Sequence, residues 1–538
     1  MPDAGTFDAV FIGAGHNGLT CAAYLAAAGQ SVCMLERRPI VGGAAVTEAF
    51  HPGFRNSTAS YTVSLLHSRV IRDLRLAEHG LRIVERPLAN FLPLSERRGD
   101  TITLANDAAA TQSAVAKFSA RDAQALPGYY AMIERVASVV RRLLPATPPK
   151  LDGGVRGVLE LWRAAKPFRA LDLAGRRDVL DLLTKSAGDV LDRWFESAPV
   201  KAALGFDAVV GQFATPYAAG SAYLLLHYAL GEVNGKRGRW GHAIGGMGSI
   251  TQAMARECHA RGVTIRTSAG VDRVVVERGK ATGVALRNGD VVRGRRVVAN
   301  VNPKLLFTKL VGSDDLPADF RARIEGYRCA SGTFRMNVAL SALPDFAAQP
   351  GEGDHLRSGI VMAPSLAYME RAYFDARTRG WSREPIVEML IPSLVDDSLA
   401  PRGAHVASLF CQHVDPDLAT VVPGRAWDDR ARDDVASLMI DTVTRFAPNF
   451  RQSVIAHRAL SPLDLEREFG LVGGDISHGA MTLDQLFSAR PLLGYADYRT
   501  PVQGLYMCGA GTHPGGGVSG MPGYNAAREI LRDLRRRG

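Results

Sequence analysis

Three glycines and an acid carry the first chemical signal. Gly13, Gly15 and Gly18 follow the apolar run at 9–12, a small-residue stretch fills 19–28, and the second apolar run at 31–35 ends on Glu36. That order predicts strand, tight turn, helix, strand. In such a unit the first glycine permits the turn, the second lets a pyrophosphate approach the backbone, and the third lets the helix pack closely on the sheet. The phosphates then lie at a helix N-terminus, where free N–H groups and the helix dipole favour an anion. Glu36 follows Gly18 at close to the spacing at which a carboxylate at the end of the second strand accepts hydrogen bonds from a ribose diol. Arg37 beside it is counted with the nucleotide-binding set.

The elements that must hold this unit are spread along the whole chain. The 245–261 stretch opens on glycines and reads as a helix, followed by a strand at 263–266, a hairpin-rich segment from Val271 to Arg293 and a buried strand at 297–300. The end of the chain, from 471 onward, returns to the same style, with a strand at 504–508, a glycine-rich loop to Gly523 and a terminal helix. The expected organisation is α/β and discontinuous: a Rossmann-type nucleotide domain from 1–95, 236–302 and 471–538, a helical insertion at 96–235, and a mixed-sheet substrate domain at 303–470. Within the insertion, 201–231 is strongly apolar and reads as a core helix hairpin, as one wall of a lipophilic substrate tunnel or as a membrane-dipping element, the hairpin being the commoner outcome for an apolar stripe.

Bulk properties exclude several classes. At 538 residues and 46% hydrophobic content the chain can bury sizeable cores. Its six cysteines include no CxxC pair, so no disulfide framework, zinc site or dithiol centre is expected. Nor is a signal peptide or an apolar stretch of bilayer-spanning length evident, and a cytoplasmic location follows as an expectation. Net charge is +10, and residues 131–178 hold ten basic against five acidic residues. A stretch of this kind is a solvated helical face or a peripheral contact with an anionic membrane. Stacking aromatics do not interleave it, which argues against nucleic acid.

Two further motifs add a resemblance. Gly42-Gly43 and Thr47, shortly after Glu36, resemble the double-glycine extension of two-dinucleotide-binding-domain flavoproteins, although Ala44 stands where that pattern usually has arginine. The stretches EFGLVGGDISHGAMTLDQLFSARP (468–491) and CGAGTHPGGGVSGMPGYNAA (508–527) resemble the phytoene desaturase family within the amine oxidase-like flavoproteins. They are most similar to its desaturase-type beta-carotene ketolase and pyridine nucleotide-disulfide oxidoreductase domain-containing protein 2 branches. The resemblance implies FAD as cofactor. It brings the backbone at Gly509, Gly511, Gly520 and Met521 to the flavin side and Val271 to the adenine side. It also implies hydride transfer to flavin from a lipophilic small molecule such as a carotenoid or another isoprenoid, with oxygen or a quinone as diffusible electron acceptor. Ketolase or saturase chemistry on the same fold, and a non-catalytic FAD-containing scaffold at a membrane complex, stay open. His478 and His513 are the candidate catalytic residues; for His513 a loop-fixing hydrogen bond is the favoured alternative. Metal ligands and an oligomeric state are not indicated.

Overall fold

A computed structural model describes residues 5–150 and 154–537. A five-stranded parallel sheet sits at the cofactor end, in the order Thr264–Arg266, Val32–Leu35, Ala9–Ile12, Val297–Ala299, Leu505–Met507. The three central strands are buried along their whole length, because helices cover one face and the antiparallel strands at 271–293 with the 306–324 segment cover the other, so every position must be apolar. Val10 pairs with both Cys33 and Val297, and Val297 pairs in turn with Leu505, so three distant parts of the chain close one sheet.

The helix His16–Ala27 lies against this sheet and packs on Gly248–Ala260 and Met521–Arg537. Gly523 permits the second contact: a Cβ there would collide with the Asn17 carbonyl oxygen. A three-stranded antiparallel sheet, Val271–Glu277, Lys280–Leu286 and Val291–Arg293, flanks the nucleotide end.

The second large layer is a seven-stranded sheet in the order Val454–Leu460, Thr333–Leu340, His405–Val414, Trp381–Leu390, Gly359–Met362, Leu88–Pro93, Thr101–Ala105. Its last two strands lie on either side of the boundary expected at residue 95. Leu92 pairs with Ile102, and Gly359 joins Leu88–Pro93 in parallel, so both strands extend the substrate-side sheet. Local pattern could not reveal this, because the partner strand Gly359–Met362 belongs to a remote part of the chain. One face of the sheet packs on Asp429–Phe446 and the other on the inserted helices, which include Ala120–Arg141, Leu173–Thr184 and Ala222–His227. A helix at Gly154–Arg169, inside the expected helical insertion, carries Gly157 and Pro167 within it, two residues that weaken a helical signal. Among the described residues no helix is long and apolar enough to cross a membrane.

Candidate active site

The glycine loop forms one wall of a groove at the C-terminal ends of the parallel strands. Gly13 has φ +90°, a conformation that glycine supplies cheaply. A Cβ on Gly18 would stand 2.7 Å from the Gly13 carbonyl oxygen, so the close approach of helix to loop requires glycine there. Gly15 caps the helix without a side chain, and the first-turn residues His16 and Asn17 line the groove. Asn300, just beyond the strand Val297–Ala299, turns its side-chain oxygen to the loop and accepts from the Gly15 and Gly18 N–H groups at 3.1 and 3.3 Å. The double-glycine segment runs alongside, with the Gly42 N–H donating to the Ala14 carbonyl at 2.9 Å.

Glu36 is buried on the same wall. Its carboxylate accepts from the Ala14 N–H at 2.9 Å and the Arg38 N–H at 3.0 Å, locking the second strand to the glycine turn. Arg37, Gly42, Gly43 and Val271 also line the groove, whereas Gly18 supports it from behind. Four polar atoms of groove-lining residues, His16 Nε2, Asn17 Oδ1, Arg38 Nη1 and His478 Nδ1, are buried without a hydrogen-bond partner among the described residues. A helix N-terminus without a side-chain cap, orphaned polar atoms and a glycine-walled groove fit a dinucleotide.

The groove continues into a second cavity of about 150 Å³. His16, Ala44, Leu471, His478 and Ala510 line both. Val210, Leu224 and Tyr228, from the apolar stretch at 201–231, form part of the cavity wall, so the segment read as a core hairpin or tunnel wall does line the cavity. Tyr228 and Trp240 also line a third, outer cavity of about 370 Å³. Their rings, 5.3 Å apart and tilted by 35°, form the partition between the two chambers.

The C-terminal loop divides its residues between the cavities and the protein behind them. Ala510 and Gly517 face the cavities, while Gly509, Gly511 and Gly520 pack against protein: Gly509 against Asn300, Gly511 against Pro303 and Gly520 against Val70. Met521 is buried at the start of the last helix and reaches a neighbouring recess lined also by Tyr223 and His227. Arg490, fully buried, ties this loop to the His478 segment. Its guanidinium donates to the Ala510 carbonyl at 2.9 and 3.0 Å, to Ser477 at 2.6 Å, to Gln485 at 3.1 Å and to Ala480 at 3.2 Å. Asp475 closes the same turn by accepting from the Ser477 and Gly479 N–H groups, and burial pushes its carboxyl up to about 6.

The two candidate histidines part company here. His478 lines groove and cavity, with φ +56° and its carbonyl accepting from the Tyr327 hydroxyl at 2.9 Å. His513 lies outside the lining of both and donates from Nε2 to the Leu143 carbonyl at 3.0 Å, tying the flavin-side loop to the helical insertion. Burial depresses His16, His227, His478 and His513 to about 4 each, so all four imidazoles are neutral at pH 7.

A buried polar cluster behind the cavity had no sequence signal. Tyr61, on the cavity wall, donates its hydroxyl to Glu388 Oε2 at 2.5 Å. The Arg335 guanidinium lies 4.3 Å from the centre of the Tyr61 ring and donates to the Leu409 carbonyl and Ser408 Oγ, both at 2.7 Å. Arg86 donates to the Thr62 hydroxyl on the same wall. Burial raises Glu388 above the usual carboxylate range, with Arg86, the Tyr61 hydrogen bond and Arg335 opposing. In the outer cavity Asp207 has no hydrogen-bond partner among the described residues, and burial together with the Glu388 charge pushes its carboxyl up to about 7.

Residues 18–333 match the profile of the flavin containing amine oxidoreductases. The chain belongs to that family. It is 40% identical to pyridine nucleotide-disulfide oxidoreductase domain-containing protein 2 of Rattus norvegicus, over 98% of this chain and 94% of the relative. To a phytoene desaturase (lycopene-forming) of Pseudescherichia vulneris it is 25% identical, over 95% of this chain and 96% of that one. The solved structure of a putrescine oxidase superposes with a TM-score of 0.61 at 15% identity, covering 99% of both chains, a likeness of fold. The protein is an FAD-dependent oxidoreductase with the α/β fold of the amine oxidase and phytoene desaturase-like flavoproteins. The phytoene desaturase resemblance rests on much lower identity than the resemblance to the rat protein.

Proposed function

We propose that the protein dehydrogenates a lipophilic small molecule, an isoprenoid in the first instance, and passes the electrons on to oxygen or a quinone. The continuity of the dinucleotide groove with a largely apolar cavity through five shared residues carries this reading. Gly13, Gly15, Glu36, Arg37, Gly42, Gly43 and Val271 would hold the nucleotide and pyrophosphate of FAD, with Gly18 and Asn300 shaping the loop. Ala510, Gly517 and the backbone around Arg490 would face its flavin end. Bound FAD supplies the hydride acceptor, and the protein supplies position, dryness and a proton acceptor.

Leu224, Val210 and Tyr228 hold the hydrocarbon and exclude water, and proximity supplies much of the rate. The four neutral imidazoles place no positive charge against an electron-poor carbon. A proton leaving the substrate passes to the Tyr61 oxygen as the Tyr61 proton passes to Glu388. Burial prepares Glu388 for this, because it favours the neutral carboxyl. His478 borders both the groove and the cavity and would orient the ring end of the cofactor, while His513 would fix the loop. A lipophilic substrate and a quinone are both met at a bilayer, so the reading includes peripheral membrane association.

The test is an anaerobic titration of the FAD-loaded protein with phytoene, beta-carotene and shorter isoprenoids in detergent. Bleaching of the oxidised-flavin spectrum by one of them, slowed at least tenfold in Tyr61→Phe, is the expected result. A flavin spectrum unchanged by every isoprenoid tried, but bleached by a water-soluble amine, would overturn the proposal.

A further inference from the structure

Six of the thirteen exposed large hydrophobic side chains among the described residues fall between Val158 and Leu180: Val158, Leu159, Leu161, Trp162, Leu173 and Leu180. They are half or more exposed, Trp162 at 56% and Val158 at 67%. Scattered exposed apolar residues need no explanation, but a cluster does. At 100° per residue, Val158, Leu159, Trp162, Lys166 and Arg169 fall within about 100° on the helix Gly154–Arg169. Leu173, Arg176, Arg177 and Leu180 share an arc of about the same width on Leu173–Thr184.

Basic groups interleave these apolar ones. The Arg169 guanidinium lies 5.4 Å from the centre of the Trp162 ring. Arg163, Lys166, Arg176 and Arg177 are exposed and have no ion-pair partner among the described residues, whereas the acids of the second helix are engaged, Asp178 by Arg135 and Asp181 by Lys185 and Arg193. Free positive charge around an exposed tryptophan and five aliphatic side chains is complementary to anionic headgroups over an acyl interior.

Resting on the lipophilic-substrate reading, we infer that these two helical arcs dock the protein on an anionic bilayer. Val158, Leu159, Trp162, Leu173 and Leu180 enter the headgroup boundary, and Arg163, Lys166, Arg169, Arg176 and Arg177 contact phosphates. The position suits substrate entry. The Arg135–Asp178 ion pair, at 3.3 Å, joins the docking face to the helix Ala120–Arg141, whose Tyr129, Tyr130 and Ile133 wall the outer cavity. A molecule leaving the lipid beside that wall has the Tyr228–Trp240 partition next in its path.

Flotation of the FAD-loaded full-length protein tests this with two kinds of vesicle, phosphatidylcholine alone and phosphatidylcholine in which roughly one lipid in three is replaced by phosphatidylglycerol. Binding to the mixed vesicles, weakened by salt and reduced about tenfold or more in Leu159→Asp/Trp162→Asp and in Arg163→Gln/Lys166→Gln/Arg169→Gln, is expected. A blue shift of tryptophan emission on binding should shrink in Trp162→Phe. Equal binding by wild type and both variants, or no flotation of wild type with mixed vesicles, would overturn the inference. So would a concentration-dependent dimer abolished by the same variants in a protein that does not float, because the face would then meet a second copy. Retained flavin spectra show that the variants fold. Flavin reduction by an isoprenoid in detergent separates the two claims. If it persists while wild type does not float, docking alone fails; if it is absent while wild type floats, the dehydrogenase reading alone fails.

Discussion

Replacing Asp207 by Asn should stabilise the protein, and more at pH 8 than at pH 5. The carboxyl has no hydrogen-bond partner to lose among the described residues, and what exposure it has is to a cavity. Its pKa rises from a normal value of 3.8 to about 7, with burial the main cause, the Glu388 charge adding to it and Arg86 opposing. Below about pH 4 the group is protonated in folded and unfolded chains alike and has no differential effect. Between pH 4 and 7 the unfolded chain loses the proton first, so folding stability falls as pH rises, and the full penalty stands above pH 7. At about 1.4 kcal/mol for each tenfold change in acidity, the rise sets a ceiling of roughly 4 kcal/mol. Water entering the cavity screens the charge and reduces the expected gain to roughly 1–3 kcal/mol.

Asn is nearly isosteric and uncharged, so it removes the penalty without opening a void. Tyr129, Tyr130 and Tyr228 face the same carboxylate and stay neutral throughout this range, leaving Glu388 and Arg86 as the charges that respond. Thermal unfolding with saturating FAD, scanned from pH 5 to 8, reads the effect. For a chain of this length about 1 °C accompanies each kcal/mol if it unfolds as one unit, so a rise of about 1–3 °C at pH 8 shrinking toward pH 5 is expected. A rise of the same size at both pH values, or destabilisation at pH 8, would refute the reasoning that an uncompensated charge sits there.

Arg490→Met should release FAD and lower the unfolding temperature, because at least four carbonyls lose their donor in a dry site, a cost of several kcal/mol at about 1–3 each before relaxation; unchanged flavin content after gel filtration would contradict this. Gly18→Val must push the loop away from a carbonyl 2.7 Å from its Cβ, so the purified variant should be flavin-free and not reconstitute. Glu388→Gln should slow flavin reduction at least tenfold at fixed substrate binding, and its rate should lose the pH dependence of the parent; reduction at the wild-type rate would remove Glu388 from the proton path. His513→Gln, which can still donate to the Leu143 carbonyl, should reduce flavin within about threefold of wild type, whereas a hundredfold loss would make the imidazole a participant.

Legibility in the sequence followed the range of the contact. The turn at Gly13, the acid at Glu36 and the parallel strands are encoded in short stretches, where apolar runs and glycine spacing suffice, and their positions along the groove follow from that local geometry. The C-terminal loop was readable as glycine-rich, but which glycines face a ligand depends on what packs behind them; Gly511 meets Pro303 and Gly520 meets Val70, partners that no spacing rule supplies. Tyr61 and Glu388 stand 327 residues apart, and Arg490 lies 20 residues from the Ala510 carbonyl it holds, so neither pairing leaves a periodic trace.

That hidden set also explains why the cavity combines an apolar wall with buried charge. A hydrocarbon needs no arginine, and burying Arg335, Arg86 and Glu388 costs the fold stability unless each is held by several partners. Arg335 is so held, with hydrogen bonds to Leu409 and Ser408 and the Tyr61 ring beneath it, and Glu388 has the Tyr61 hydroxyl and the charges of Arg86 and Arg335. Asp207 is not held, and it faces the outer chamber across the aromatic partition from the flavin side. On the proposed dehydrogenase reading, an unpartnered carboxylate there should favour a substrate whose far end brings a hydrogen-bond donor, a hydroxyl for instance, while its apolar body reaches past Tyr228 and Trp240. Flavin reduction by a matched pair of isoprenoids, alcohol against parent hydrocarbon, decides the point. The alcohol should bind at least tenfold more tightly to wild type, and that preference should vanish in Asp207→Leu, whereas equal binding of the two by wild type would leave Asp207 without a ligand.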